Sequence, residues 1–497
     1  MGLGKRLRKA IGKLLLFGAV AVPFCALAQT GAPGTEMQTG QPVPSEHKIS
    51  EAEAKDLFRS VDEILKFASE ESSLPRRSDV KRRLVSRDEV VAFISKHLEE
   101  DEDSQRLQRN EIVLKKFGLL PRDFDLKMFL IAMLREQVAG YYDPKTKTVN
   151  LLDWVDAEQQ KPVLAHELTH ALQDQSFDLE TWMRAGSADL LNVENPTAAD
   201  FADDEAGEAR QAVTEGQATV VLIDYGLAPF GQSMASSPKL VEAMRAGMLA
   251  GTADSIQFRN APLFLKEALI FPYSYGLDFV GEVIVKRGKE GAVDLFRHPP
   301  STTRQIMEPQ TFLSGEKLEP IPVPDFKQLL KDYKKIDVGG FGEFDTAMLV
   351  DQFAGAETGS KMYPEWRGGY YFALRPKADS AAPLGLLYVS RWSSAEKASE
   401  FAAVYANSLP TRYRRVEQVV REDAPANARL DKLENLTGKH LWKTEDGPVL
   451  IEVQGDSMVV VESLQDAARL SRAVWDAMSS AISPDHQPAI IASPAKR

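Results

Sequence analysis

The segment His166-Glu167-Leu168-Thr169-His170 constrains this chain more than any other feature of its sequence. Apolar residues recur at helical spacing on both sides of it, and Pro162 is tolerated only near the first turn, so a helix is predicted to begin close to Pro162. Histidines four residues apart leave the same face of a helix, where two neutral imidazoles can bind one Zn²⁺. Glu167 is placed to accept a proton from water at that metal. The alternative is a pair of buried, hydrogen-bonded structural histidines.

Glu215 is the candidate for a third ligand. It lies in a second predicted helix, and its neighbours are small: Ala212, Gly216, Ala218 and Thr219. Small neighbours allow this helix to approach a partner helix closely and to bring the carboxylate to a shared metal. Two histidines, one glutamate and an open position form the pattern of a catalytic zinc site. The alternatives are a solvated Glu215 or a ligand supplied by Glu205 or Glu208.

These motifs resemble those of the gluzincin (thermolysin-like) zinc metallopeptidases. More closely, the chain is similar to secreted bacterial proteins that carry HELTHALQDQ and, later, an EGxAT helix; here the segments are 166–175 and 215–219. The resemblance covers residues 120–320. It implies zinc ligands at His166, His170 and Glu215, and a general base at Glu167.

The first 28 residues have the pattern of a cleaved secretory signal. A basic segment precedes an apolar run that is too short to span a bilayer comfortably, and Ala26-Leu27-Ala28 forms a cleavage site. The single cysteine, Cys25, lies within this signal, so the mature chain is predicted to have no disulfide and no thiolate ligand. The net charge is −12 before cleavage, and loss of the basic segment makes the chain more acidic. Nucleic acid is therefore not expected as a partner, and no membrane span is expected after cleavage.

The predicted fold class is α+β: a mainly helical, gluzincin-like catalytic domain with a small edge sheet, followed by a smaller α+β domain. With 497 residues, 43% of them hydrophobic, two or three domains are expected. The predicted segments are a signal peptide (1–28), a disordered linker (29–49), a helical N-terminal region (50–120), a metallopeptidase-like domain (121–343), a C-terminal domain (344–482) and a disordered tail (483–497). The N-terminal region is either a cap on the catalytic domain or a removable prosegment.

Other candidate residues lie around the predicted site. Two β runs around Asp143-Pro144 predict a hairpin before the zinc helix, and in resembling gluzincins such an edge strand borders the substrate cleft. An ordinary sheet edge is the alternative. The candidates for stabilising the transition state or supporting the ligands are Tyr273, Tyr275, His298 and Asp174. Both tyrosines are also typical packing residues, His298 is also a candidate structural histidine, and Arg304 is the alternative to His298.

The predicted function is therefore a secreted or periplasmic zinc metallopeptidase that acts on a peptide or protein substrate, with Zn²⁺ as its cofactor. The first alternative is a zinc-binding but catalytically inactive envelope protein that serves as a partner-binding module. A second alternative has no metal at all. Covalent catalysis is not favoured, because the mature chain has no cysteine and no G-x-S-x-G motif.

Overall fold

The chain folds into a mainly helical N-terminal part and a C-terminal part built on a seven-stranded sheet, which confirms the α+β prediction. The computed structural model describes residues 48–99, 101–137, 140–185, 190–234, 255–421 and 433–482. The predicted signal peptide, nearly all of the predicted linker and the predicted tail lie outside these ranges.

The N-terminal part consists of helices around a small sheet. Its helices are α1 (Glu51–Ser72), α2 (Arg87–Glu99), α3 (Asp101–Phe117), α4 (Leu126–Gln137), α5 (Ala157–Phe177), α6 (Leu179–Arg184), α7 (Ala198–Asp204), α8 (Ala206–Leu227), α9 (Ile256–Asn260) and α10 (Leu263–Asp294). Its strands are β1 (Lys81–Val85), β2 (Tyr141–Asp143) and β3 (Thr148–Leu152). β1 runs parallel to β3, and β2 runs antiparallel to it. The hairpin is thus confirmed, and β2 forms one edge of this sheet.

Helix α1 packs directly on α5, the helix that carries the HELTH segment. On α1, Leu57, Val61, Ile64 and Leu65 recur at helical spacing and are all buried. They belong to one apolar cluster with Leu164, Leu168, Ala171 and Leu172 of α5. The predicted N-terminal region therefore supplies part of the core on which the candidate site is built.

Helices α8 and α10 approach each other unusually closely. A Cβ atom built on Gly216 of α8 would lie 2.2 Å from the carbonyl oxygen of Gly276, and one built on Gly276 would lie 2.3 Å from that of Ala212. Only glycine allows the two backbones this contact. Helix α10 is long and apolar enough to cross a membrane, but 67% of its most apolar stretch is buried within the fold, as in the core helix of a globular protein.

The C-terminal part is an antiparallel sheet flanked by helices. Its strands are β4 (Tyr333–Gly340), β5 (Trp366–Pro376), β6 (Gly385–Trp392), β7 (Val416–Arg421), β8 (Gly438–Thr444), β9 (Gly447–Gln454) and β10 (Ser457–Glu462), in the spatial order β4-β5-β6-β10-β9-β8-β7. Helices α11 (Thr303–Met307), α12 (Pro309–Ser314) and α13 (Phe326–Leu329) precede it. Helices α14 (Glu343–Ala354), α15 (Ala356–Met362), α16 (Ala395–Arg412) and α17 (Ala467–Ile482) complete this part. Because β4 pairs with β5, the sheet begins before residue 344, where the C-terminal domain was predicted to start.

A buried ionic cluster joins the two parts of the chain. The Glu462 carboxylate accepts hydrogen bonds from Arg412 at 2.7 and 2.8 Å and from the hydroxyls of Tyr405 and Tyr413. Arg412 also donates to the carbonyl oxygen of Lys116 on α3, and the Lys116 ammonium lies 3.7 Å from Glu462. Two buried cations thus share one buried carboxylate, which ties α3 to the C-terminal sheet.

Candidate metal centre

Helix α5 places both histidines of the HELTH segment on one face. It begins at Ala157, earlier than Pro162 indicated, because the Asp156 side chain caps it by accepting hydrogen bonds from two backbone N–H groups of its first turn. The two imidazole rings lie with their centroids 4.6 Å apart and nearly perpendicular. Their Nε2 atoms are 3.0 Å apart. The predicted convergence of His166 and His170 is therefore present.

Helix α8 brings Glu215 to the same point. One carboxylate oxygen, Oε2, lies 3.1 Å from His166 Nε2 and 3.3 Å from His170 Nε2. The competing residues are elsewhere: Glu205 accepts hydrogen bonds from Thr303, and Glu208 belongs to no metal-binding group among the described residues. Two of the small residues near Glu215, Ala212 and Gly216, make the close contact with Gly276 of α10.

The spacing of these three ligand atoms fits a small four-coordinate cation. In a tetrahedral site with bonds of about 2.0–2.1 Å, neighbouring ligand atoms lie about 3.3–3.4 Å apart. The observed separations of 3.0, 3.1 and 3.3 Å are close to that value. The second Glu215 oxygen, Oε1, is buried and has no hydrogen-bond partner among the described residues. His166, His170 and Glu215 therefore form a buried group that can hold a metal ion.

The charges of the group also suit a cation. Burial acts to raise the pKa of Glu215, but the two imidazoles outweigh it and hold the pKa at about 2, so the carboxylate is ionised at neutral pH. Burial lowers the pKa of His166, which favours the neutral ring that a metal requires. Burial also acts to lower the pKa of His170, but the Glu215 carboxylate outweighs it and raises the value to about 9. A metal would therefore displace one proton from this ring.

Glu167 points toward the edge strand β2. Its Oε2 atom accepts a hydrogen bond from the backbone N–H of Tyr142 at 2.7 Å, and the residue is 1% exposed. This N–H is directed at α5 instead of at β3, so Tyr142 presents its backbone on the outer edge of the sheet. The candidate base is thus held beside both the ligand group and the edge strand.

Asp174 acts on Tyr142 and does not touch the ligands. Its Oδ2 atom accepts hydrogen bonds from the Tyr142 hydroxyl at 2.7 Å and from the Lys147 ammonium at 2.6 Å. Burial and this carboxylate raise the pKa of the Tyr142 phenol well above its usual range, so the phenol remains a donor. Asp174 therefore connects α5 to β2. It also holds Tyr142 in the position from which its backbone N–H donates to Glu167.

The two candidate tyrosines differ in position. The ring of Tyr273 stacks on His166 with centroids 6.1 Å apart, and its side chain is buried. The ring of Tyr275 stacks instead on Phe271, at 5.1 Å, as a packing residue does. Tyr273 therefore lies beside a candidate ligand, whereas the described ring contact of Tyr275 is with Phe271.

The structure does not bring His298 to the ligand group. Its side chain is 77% exposed and pairs with Asp294 on the preceding turn. Arg304, the alternative, is buried and donates hydrogen bonds to Glu316 and Glu343 in the C-terminal part. Neither residue is in contact with His166 or His170 through any described bond.

Sequence reasoning missed Gln173. This fully buried amide accepts a hydrogen bond from the His170 ring at Nδ1, 2.9 Å away, and donates to the Thr214 carbonyl oxygen and to Gln217 Oε1, each at 3.0 Å. The only signal in the sequence was its place three residues after His170, on the adjoining face of the same helix.

Comparison of the chain with protein-family models, curated proteins and solved structures gives no significant match. The resemblance to gluzincins therefore stays a prediction, and the function of the chain has to be inferred from the geometry of the site.

Proposed function

We propose that this chain is a secreted or periplasmic zinc metallopeptidase that hydrolyses peptide bonds in proteins or peptides. One observation carries the proposal: two imidazole nitrogens and one carboxylate oxygen converge within 3.3 Å of one another, and the residue that follows the first histidine is a glutamate. Two neutral histidines and one carboxylate are the donor set of many catalytic zinc sites. The localisation depends on the predicted signal at residues 1–28, outside the described ranges.

Glu167 is the proposed general base. It accepts a proton from the attacking water and later donates it to the leaving amine. The Tyr142 N–H holds one of its oxygens and fixes the direction of the carboxylate. A bound zinc ion would polarise the scissile carbonyl and make the attacking water more acidic.

An extended peptide is proposed to bind beside β2 and to pair with backbone groups of this edge other than the Tyr142 N–H, which already donates to Glu167. This strand ends the small sheet, and its Tyr142 backbone lies next to Glu167. An extended peptide added beside such an edge is recognised mainly through its backbone, which tolerates many side chains. Asp174 and Lys147 would keep the edge in place during binding.

The burial of the centre favours a second candidate. His166, Glu167, His170 and Glu215 are each at most 2% exposed, which also suits a zinc-holding envelope protein that binds a partner and cleaves nothing. Glu167 favours the peptidase, because a site that only holds metal has no use for a base between its two histidine ligands.

Hydrolysis by variants of the mature chain tests the proposal. Glu167→Gln keeps the shape and the hydrogen bond from Tyr142 but removes the base, so it should retain zinc while cleavage of a denatured protein substrate falls by at least about 10²-fold. His170→Ala should lose both zinc and activity. Glu158→Gln, at an exposed position on the same helix, is the control and should change neither zinc content nor activity. Zinc-loaded wild-type protein without any cleavage would favour the second candidate, and equal cleavage by wild type and E167Q would refute the mechanism.

A further inference from the structure

The structure assigns Gln173 a positioning role: we infer that its side-chain amide holds His170 in the one tautomer that can bind the metal. This inference deepens the proposed function and rests on it, because it concerns the same metal centre.

The amide of Gln173 has a single satisfactory orientation. One end lies 3.0 Å from the Thr214 carbonyl oxygen and 3.0 Å from Gln217, and the other end lies 2.9 Å from His170 Nδ1. A carbonyl oxygen can only accept, so the end beside Thr214 must be the NH₂ group. The oxygen of Gln173 therefore faces the histidine.

This orientation determines where His170 carries its proton. The Gln173 oxygen only accepts, so Nδ1 must be the N–H of the ring. In the neutral ring the lone pair is then on Nε2. Nε2 is the atom that lies 3.0 Å from His166 Nε2 and 3.3 Å from Glu215 Oε2. The amide thus directs the lone pair of His170 into the ligand group.

A second amide supports the first from the opposite side. Gln217, on α8 and half a turn from Glu215, accepts from Gln173 and donates to the Ser72 carbonyl oxygen at the end of α1, 3.4 Å away. The chain of hydrogen bonds from α1 to His170 therefore crosses three helices. It adds no charge, whereas a carboxylate in the place of Gln173 would add a third negative group beside Glu167 and Glu215.

Zinc affinity in a matched set of variants tests this role. Gln173→Leu removes the acceptor, and Gln160→Leu is the control: Gln160 is an equally buried amide on α5 that makes three hydrogen bonds to the backbone of Leu152 and Val155 and none to the ligands. Gln173→Glu retains an acceptor for Nδ1–H but loses both donated bonds. The dissociation constant of zinc is measured by competition with a chromogenic chelator, and Tm is recorded for each zinc-free protein.

The zinc dissociation constant of Q173L should rise by about 10–100-fold, as for loss of other groups that orient a ligand. Q160L should lose a comparable amount of Tm and keep wild-type affinity, and Q173E should bind zinc more tightly than Q173L although it is the less stable of the two. If zinc affinity follows Tm across the set, or if wild type and Q173L bind zinc equally well, this inference is overturned and the proposed function is not. If Q173L does not fold, the comparison of Q173E with Q160L decides: zinc binding by Q173E weaker than that of Q160L by more than about 100-fold would overturn it. Absence of zinc from the wild-type protein would overturn the proposed function and this inference with it.

Discussion

Gly216→Ala should disturb the metal centre although it changes no ligand. The added Cβ would lie 2.2 Å from the carbonyl oxygen of Gly276, whereas ordinary contact begins at 3.4 Å. Helices α8 and α10 would have to separate by about 1.2 Å, the difference between those two distances. Glu215 is the adjacent residue on α8, so its carboxylate would move with the helix. The 3.1 and 3.3 Å separations from the two histidines would then be lost.

The stability change in G216A combines two opposing effects. Overpacking lowers the free energy of unfolding by about 1–3 kcal/mol, and the better helix propensity of alanine raises it by about 1 kcal/mol. Gly281→Ala, on α10, is the matched control: among the described residues a Cβ there meets only Met234, at 3.8 Å, so the gain in helix propensity remains without a close backbone contact.

Zinc titration and thermal unfolding of the two variants measure these effects. G216A should bind zinc at least about tenfold more weakly than wild type and should unfold at a lower temperature than G281A. G281A should bind zinc like wild type. If G216A binds zinc as tightly as G281A and is equally stable, the close helix contact does not position Glu215.

Two further predictions concern the support of the site. Leu65→Ala, in the core between α1 and α5, should lower the free energy of unfolding by about 2–5 kcal/mol; an unchanged denaturant midpoint would show that α1 is dispensable to the fold. Glu462→Gln should lower the free energy of unfolding by about 3–5 kcal/mol at pH 7, because Arg412 and Lys116 would remain buried without their carboxylate. Burial acts to raise the pKa of Glu462, but Arg412 and Lys116 outweigh it and hold the pKa below its usual 4.5. The stabilisation by the Glu462 carboxylate is therefore complete above about pH 4.5 and is lost as the pH falls through the lowered pKa. Wild type and E462Q should therefore have similar stability in acid and differ above about pH 4.5.

The features that could be predicted from the sequence are those that depend on local geometry. Helical spacing placed His166 and His170 on one face, and small residues near Glu215 indicated a close helix contact. The close backbone contact is with α10, however, and not with α5, the helix that shares the candidate metal with Glu215. Strands β5, β6, β9 and β10 each contain a continuous apolar run, the pattern that indicates a buried central strand.

Elements that depend on tertiary pairing could not be predicted. Strand β4 contains two lysines and two glycines, and it is a strand because it pairs with β5. Strands β7 and β8 likewise alternate polar and apolar residues too irregularly to indicate that they are the last two strands of the sheet, with β7 at its edge.

The support of the site depends on contacts that residue types do not reveal. The donor to Glu167 is a backbone N–H, which every residue except proline has. The partner of His170 is an amide whose orientation is determined by a helix distant in sequence. His298 had the chemistry of a catalytic residue, but the fold leaves it at the surface.

Diffraction from crystals of the zinc-loaded mature chain, recorded on both sides of the zinc absorption edge, is the decisive measurement for the proposed metal centre. We predict one anomalous peak per chain, bonded to His166 Nε2, His170 Nε2 and a Glu215 carboxylate oxygen at about 2.0–2.2 Å. A peak bonded to Glu205 or Glu208 in place of Glu215, or no peak at the two histidines of zinc-loaded protein, would show that these three residues do not form the centre.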